Sequence, residues 1–207
     1  MAMQSEGMNA TDHVDIVIET ASGSITVRLE PSKAPITTAN FLSYVDRGFY
    51  DGGRFHRTVR LDNQSNALLK IENSDLGISD SGGTKPLPND AVPIEVIQGG
   101  INLDRKGEQG PGIPLERTRD TGLRHVDGAI SMGRTTVDSA ISDFFICIYD
   151  QPELDFGGKR NVDGQGFAAF GQVIEGMDVV RAIQASPSDG QSLSPPIQII
   201  RISSVRA

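Results

Sequence analysis

Two β-branched runs joined by a short break constrain this chain more than any other stretch. Val14-Asp15-Ile16-Val17-Ile18-Glu19 is interrupted by Ala21-Ser22-Gly23, and Ser24-Ile25-Thr26-Val27-Arg28-Leu29 resumes with strict alternation. A period of two puts Ile25, Val27 and Leu29 on one face and their polar neighbours on the other, the pattern of an antiparallel hairpin with one buried side. The rest of the chain must cover that face.

It must do so by packing alone, because a single cysteine, Cys147, excludes an internal disulfide and cysteine-based zinc sites. At 207 residues with 37% hydrophobic content the chain suits one domain with a full core. A net charge of −8 argues against nucleic acid and anionic membranes, both of which select basic surfaces. No run of 18 apolar residues exists to span a bilayer. Residues 1–12 read as a disordered leader ahead of a single domain over 13–207. They carry neither a basic start nor an apolar stretch, so a cytoplasmic location is the default and a periplasmic one after signal removal the alternative.

A helix is expected from Pro35 to about Asp46, with Ser32 as N-cap and Ile36, Ala39, Leu42 and Val45 as its apolar face. Strands follow at Arg54–Val59, Ile94–Gly100, Gly128–Met132, Phe144–Tyr149 and Phe167–Gln172, then a second helix over Ile174–Ile183 and a last strand over Ile197–Val205. Between Arg57 and Gln98 lie 40 residues, including a polar insertion over 61–93 in which only Ala67–Ile71 suggests a strand or packed flap. Structureless loops beyond about 12–15 residues are uncommon unless functional or disordered. Eight mostly antiparallel strands close into a barrel, which removes exposed edges. The fold class predicted is mainly β: a closed eight-stranded antiparallel barrel capped by two α-helices.

Five motifs in order, Phe55-His56-Arg57, Val96–Gly100, Gly128–Met132, Ser142–Ile146 and Phe170–Val180, give the chain its resemblance to a known family: it resembles the cyclophilins, peptidyl-prolyl cis–trans isomerases built on such a barrel. Phe55-His56-Arg57 is similar to the family's Phe-His-Arg strand, and Val96-Ile97-Gln98-Gly99-Gly100 to its Met-x-Gln-Gly-Gly. Gly128-Ala129-Ile130-Ser131-Met132 resembles Gly-x-Leu-Ser-Met, and Ser142-Asp143-Phe144-Phe145-Ile146 resembles Ser-Gln-Phe-Phe-Ile. Phe170 to Val180 is similar to the strand-to-helix signature. The resemblance implies Arg57 and Gln98 as catalytic residues. It implies a substrate groove of Phe55, Val96, Gly133, Arg134, Asp143, Phe145, Leu154 and Phe167. Parity puts Arg57 on the groove face, with His56 turned to the opposite one.

The chemistry stands on elementary grounds. Rotation about X–Pro crosses a barrier of about 18–20 kcal/mol because amide resonance is lost at the twisted midpoint. Twisting localises a lone pair on the prolyl nitrogen. A fixed guanidinium donating to that nitrogen stabilises the twisted state above either planar one. No cofactor, metal, general base or nucleophile is required. His13, His56 and His125 lack metal-ligand spacing, and Ser131 and Ser142 have no paired base in sequence. Gly107, Gly110 and Gly112 open no helix, hence no phosphate loop, and Cys147 reads as a small core residue.

The resemblance implies a monomer acting on proline-containing peptides and unfolded protein clients. Glu95 stands where the resemblance implies a phenylalanine just before the pocket methionine, and no tryptophan stands at the Glu153-Leu154 position, so cyclosporin binding is expected to be weak or absent. Arg134 and Asp143 are candidates to pair across the groove rim, the alternative being that Asp143 attracts basic substrates. The alternative reading is a barrel of this type serving as a chaperone or binding module with catalysis weakened.

Overall fold

The structure, a computed structural model, describes residues 13–64 and 92–205. The strand or flap expected at Ala67–Ile71, and most of the insertion with it, lies outside the described residues.

The opening hairpin forms β1 (Val14–Thr20) and β2 (Gly23–Leu29), paired from Val14↔Leu29 to Thr20↔Gly23. Helix α1 (Pro35–Asp46) precedes β3 (Arg54–Val59) and β4 (Val96–Gly100). A 3-10 turn at Leu103–Glu108 and the short helix α2 (Thr118–Thr121) lead to β5 (Ala129–Met132) and β6 (Phe144–Cys147). After a 3-10 turn at Pro152–Leu154 come β7 (Ala168–Glu175), α3 (Met177–Gln184), β8 (Ser188–Asp189) and β9 (Ser192–Ser204). The sheet order β1-β2-β7-β5-β6-β4-β3-β9 is closed by β9 pairing back onto β1. Eight antiparallel strands thus form a barrel, and β8 is a two-residue addition on β9.

The interior is filled by the inward half of each strand. Ile16, Ile18, Ile25, Val27 and Leu29 are fully buried, as the alternation requires. Around them sits an aromatic cluster in which Phe41 meets Phe144 edge-on at 5.6 Å and Tyr50 donates to the Ser142 carbonyl at 2.7 Å. Each such ring contributes about 1.5–3 kcal/mol by leaving water. Helix α1 supplies Phe41, Tyr44 and Val45 to this core, and α3 supplies Val180 and Ile183.

The helices differ from expectation in instructive ways. The buried face of α1 is Thr37, Thr38, Phe41, Tyr44 and Val45, while Ile36 is exposed. The aromatic pair outweighs the aliphatic stripe because the barrel end accepts large rings. Ser32 does not cap it either. Ala34 is the N-cap without a side-chain bond, and the Glu116 carboxylate accepts from the N–H groups of Ile36 (3.1 Å) and Thr37 (2.7 Å) instead. A carboxylate from a distant loop satisfies the orphan donors and meets the positive helix end. The second helix starts at Met177 because Ile174 and Glu175 continue β7, with Glu175 in register with Thr26.

Candidate active site

The outer wall of the barrel carries the site, and a bulge in β3 creates it. Phe55 pairs with Gly99 but Arg57 pairs with Gln98, so His56 is one residue too many for the ladder. The extra residue resets the alternation: Phe55 points inward, and both His56 and Arg57 point outward. Parity counted without the bulge placed His56 on the wrong face. The same geometry removes Phe55 from the groove. It is fully buried in the barrel, edge-on to Phe144 at 5.7 Å, and lines neither of the two cavities on the outer wall.

From Arg57 a transverse row crosses four strands: Arg57↔Gln98, Gln98↔Phe145, Phe145↔Ser131. A second row runs Val59↔Val96↔Cys147 beside it. Leu154 and Phe167 cover this row, making a satellite apolar cluster outside the barrel. Above it is a recess of about 380 Å³ bounded by Val96, Phe145, Leu154 and Phe167 with Arg57 and Gln98 at its edge. Burial pushes the Cys147 thiol well above its ordinary pKa, which leaves it an inert filler. A second cavity of about 600 Å³ adjoins, bounded by Arg54, His56, Ile101 and Asp143, and shares Gln98, Gly133 and Arg134 with the first. Of the ten residues predicted from sequence, the structure brings Arg57, Gln98, Val96, Gly133, Arg134, Phe145, Leu154 and Phe167 to the first recess, Asp143 to the second, and Phe55 to neither.

The polar edge is one hydrogen-bonded chain. Arg57 donates from Nη1 to Gln98 Oε1 at 3.1 Å, and Gln98 donates from Nε2 to Asp143 Oδ2 at 3.3 Å. Asp143 also faces His56 Nε2 at 3.9 Å. Burial lowers the His56 pKa although Asp143 pulls the other way. Two glycines permit close packing here, one beside the polar chain and one beneath it. A Cβ on Gly100 would sit 2.5 Å from Asp143 Oδ1, and one on Gly99 would sit 3.0 Å from the Phe55 ring.

Three arrangements had no signal in the motifs. Arg57 Nε and Nη2 both donate to Gln191 Oε1, at 2.9 and 2.6 Å. The Asp189-Gly190 pair marks a hairpin turn, but nothing in the sequence says that the residue after it reaches Arg57. Second, Arg160 is nearly buried at the recess edge and donates to the Val92 carbonyl at 2.5 Å, while Gln64 pairs with the backbone of Ile94 through Nε2 (2.8 Å) and Oε1 (3.1 Å). These bonds hold the two described ends of the insertion together.

Third, Ser131 does have a base. His125 lies 3.0 Å from Ser131 Oγ through Nε2 and 2.7 Å from Asp155 Oδ1 through Nδ1. Burial lowers the His125 pKa against the pull of Asp155. Burial pushes Asp155 up, but hydrogen bonds from the His125 ring and N–H outweigh it and leave the carboxyl below its usual range. A neutral imidazole between a carboxylate and a hydroxyl fits both directions. Ser131 is fully buried and His125 nearly so, with the imidazole stacked on Phe145 at 5.9 Å and 15°. Residues in the order of a nucleophilic triad are therefore sealed under the groove floor, where they brace Phe145 and meet no substrate.

The sequence family described as cyclophilin type peptidyl-prolyl cis-trans isomerase/CLD matches residues 13–207, nearly the whole chain. The chain belongs to the cyclophilins. It is 32% identical to peptidyl-prolyl cis-trans isomerase A of Dickeya dadantii over 180 residues, covering 86% of this chain and 75% of that protein. It is 28% identical to peptidyl-prolyl cis-trans isomerase B of Escherichia coli over 193 residues, covering 92% and 97%. A cyclophilin type isomerase of Cryptosporidium parvum, solved in the presence of the dipeptide Ala-Pro, shares the fold at TM-score 0.64 and 20% identity, over 93% of this chain and 99% of that one. The cyclophilin described here is accordingly a peptidyl-prolyl cis–trans isomerase. Glu95 accepts from Gln184 Nε2 at 3.1 Å on α3, and Leu154 lines the recess.

Proposed function

We propose that this cyclophilin rotates X–Pro bonds in proline-containing peptides and unfolded protein chains, with Arg57 as the group that stabilises the twisted amide. The observation that carries this reading is the placement of Arg57, bonded to Gln98 at 3.1 Å, at the mouth of an apolar recess. A proline ring held among Val96, Phe145, Leu154 and Phe167 fixes one half of the rotating bond. The guanidinium then faces the prolyl nitrogen as its lone pair develops, and Gln98 both orients Arg57 and offers its amide to the peptide. Arg suits this role because it stays charged and its donors are rigidly disposed. The barrier falls through electrostatic stabilisation, with no bond made or broken. A structural neighbour solved with Ala-Pro is consistent with this substrate class.

Exchange spectroscopy or a protease-coupled assay on proline tetrapeptides, wild type beside Arg57→Ala, tests the proposal. A loss of about 10²–10³-fold in kcat/KM is expected, the size typical of removing a positioned donor. Equal rates for the two proteins would reject the role of Arg57. Client binding retained by Arg57→Ala, with wild-type isomerisation at background, would favour the reading as a chaperone module.

A further inference from the structure

A guanidinium on the outer face of a strand has four rotatable bonds to its plane, and one partner at one corner does not fix it. In this molecule the second grip comes from the hairpin formed by β8 and β9. Gln191, in its turn, receives both Nε–H and Nη2–H of Arg57 on a single carbonyl oxygen, at 2.9 and 2.6 Å. Gln98 takes Nη1–H from the other side at 3.1 Å. The fork is thus held on two edges by carboxamides from two different elements.

The hairpin is itself fastened to the catalytic strand. The Thr58 N–H donates to the Gln191 carbonyl at 2.9 Å, so the backbone of Gln191 is fixed next to Arg57. Asn63 Nδ2 bridges the carbonyls of Thr58 and Gly190, each at 3.0 Å. Arg60 Nη1 donates to the Gln184 carbonyl at 2.9 Å, at the end of the helix that leads into the hairpin. These bonds are independent of the Gln191 side chain, so truncating that side chain leaves the hairpin in place.

Gln98 and Gln191, which accept from Arg57 on these two edges, are both neutral. A carboxylate in the place of Gln191 would hold the fork equally well but would offset the charge that must act on the prolyl nitrogen. We propose that Gln191 is a positioning residue of this isomerase: its neutral carboxamide fixes the guanidinium plane of Arg57 without diminishing its charge. The proposal rests on Arg57 being the group that acts on the prolyl nitrogen.

The test combines kinetics with a direct view of the arginine. For full-length wild type, Gln191→Ala and Gln191→Glu, kcat and KM are measured on a proline tetrapeptide, and the Arg57 Nε–Hε cross-peak is followed by ¹⁵N NMR, assigned by its loss in Arg57→Ala. Gln191→Ala should lower kcat about tenfold with KM within about twofold, as expected when a positioned group loosens while the binding pocket stays intact. Its Nε–Hε cross-peak should vanish through solvent exchange while the rest of the spectrum is unchanged. Gln191→Glu should keep the cross-peak and still lose activity, because the fork is held but its charge is offset. Wild-type kcat in Gln191→Ala, or an unaltered cross-peak, would overturn the positioning role; full activity in Gln191→Glu would overturn the requirement for neutrality. A wild type without isomerase activity would defeat the functional reading alone, and the cross-peak would still decide whether Gln191 fixes Arg57.

Discussion

Arg134 forks onto Asp163, not onto Asp143: Nη1 lies 2.7 Å from Oδ2 and Nη2 2.9 Å from Oδ1, while Nε donates to the Gly166 carbonyl at 2.7 Å. The guanidinium lies 5.0 Å from the centre of the Phe167 ring, which in turn meets Phe145 edge-on at 5.5 Å. The rim pair expected across the groove is therefore a clamp on its far wall, and Asp143 is left to Gln98 and His56. The Arg134 hydrogen bond holds the Asp163 carboxyl below its usual range.

Breaking that clamp should loosen the proline-binding wall. The Arg134 side chain is almost wholly buried and the Asp163 side chain is 31% exposed, so losing the carboxylate leaves a buried charge half-partnered. Asp163→Ala should cost about 1–2 kcal/mol of stability, discounted from the value of a fully buried pair because one partner meets water. KM for proline peptides should rise more than kcat falls, since the wall binds the ring without acting on the bond. Urea titration and steady-state kinetics on one variant check both halves; a kcat loss with unchanged KM would assign Arg134 a different role.

Arg57→Lys separates charge from geometry. The ammonium keeps the positive charge but cannot serve Gln98 and Gln191 through a planar fork, and it is more strongly hydrated. A loss of about tenfold to a hundredfold in kcat/KM is expected, smaller than that of Arg57→Ala. An isomerase assay giving Lys at the wild-type level would mean that charge alone suffices.

What the sequence revealed follows how local the signal is. Strand alternation placed Ile25, Val27 and Leu29 inside, and the shared parity of Val96 and Gln98 put both on the groove side. The bulge at His56 has no composition of its own, because it is defined by the partner strand, and so parity counted from Phe55 failed after one residue. The cap on α1 failed for a related reason: Glu116 is 79 residues from Thr37, and local capping rules see only Ser32. The triad-like arrangement of Ser131, His125 and Asp155 and the reach of Gln191 to Arg57 are products of barrel closure, with no fixed spacing to mark them. Helix α1 shows a competition between patterns. Aliphatic spacing pointed to Ile36 and Ala39, but the barrel end is an aromatic socket that selects Phe41 and Tyr44.

Cyclosporin should bind this cyclophilin weakly. No tryptophan stands at the Glu153-Leu154 position, Leu154 is 1% exposed and packed in the recess cluster, and Glu95 turns away to Gln184. A competition assay should leave isomerisation unaffected at cyclosporin concentrations that saturate a tryptophan-bearing relative. Tight binding would show that the recess supplies the missing contact by another route.

The sealed imidazole should make the protein acid-sensitive before its carboxylates titrate. Burial holds the His125 pKa below the ordinary 6.5, so between 6.5 and the folded-state value the unfolded chain binds a proton that the native state refuses. Stability conferred by this group is complete above pH 6.5 and is lost as pH falls toward the lower folded value, by up to about 1.4 kcal/mol per pH unit. His56, also lowered by burial, adds to the slope in the same direction. Asp155, held below its usual 3.8, stays ionised throughout and contributes no slope until the pH is far lower. Denaturant unfolding at half-unit steps from pH 7.5 to 5 should show this decline in wild type. His125→Gln keeps a polar group between Asp155 and Ser131 but cannot protonate, so it should be less stable at pH 7.5 and lose less on acidification. Because the imidazole also stacks on Phe145, the same variant should raise KM for proline peptides. Parallel stability slopes for the two proteins would show that His125 exchanges its proton freely in the native state, contrary to its burial.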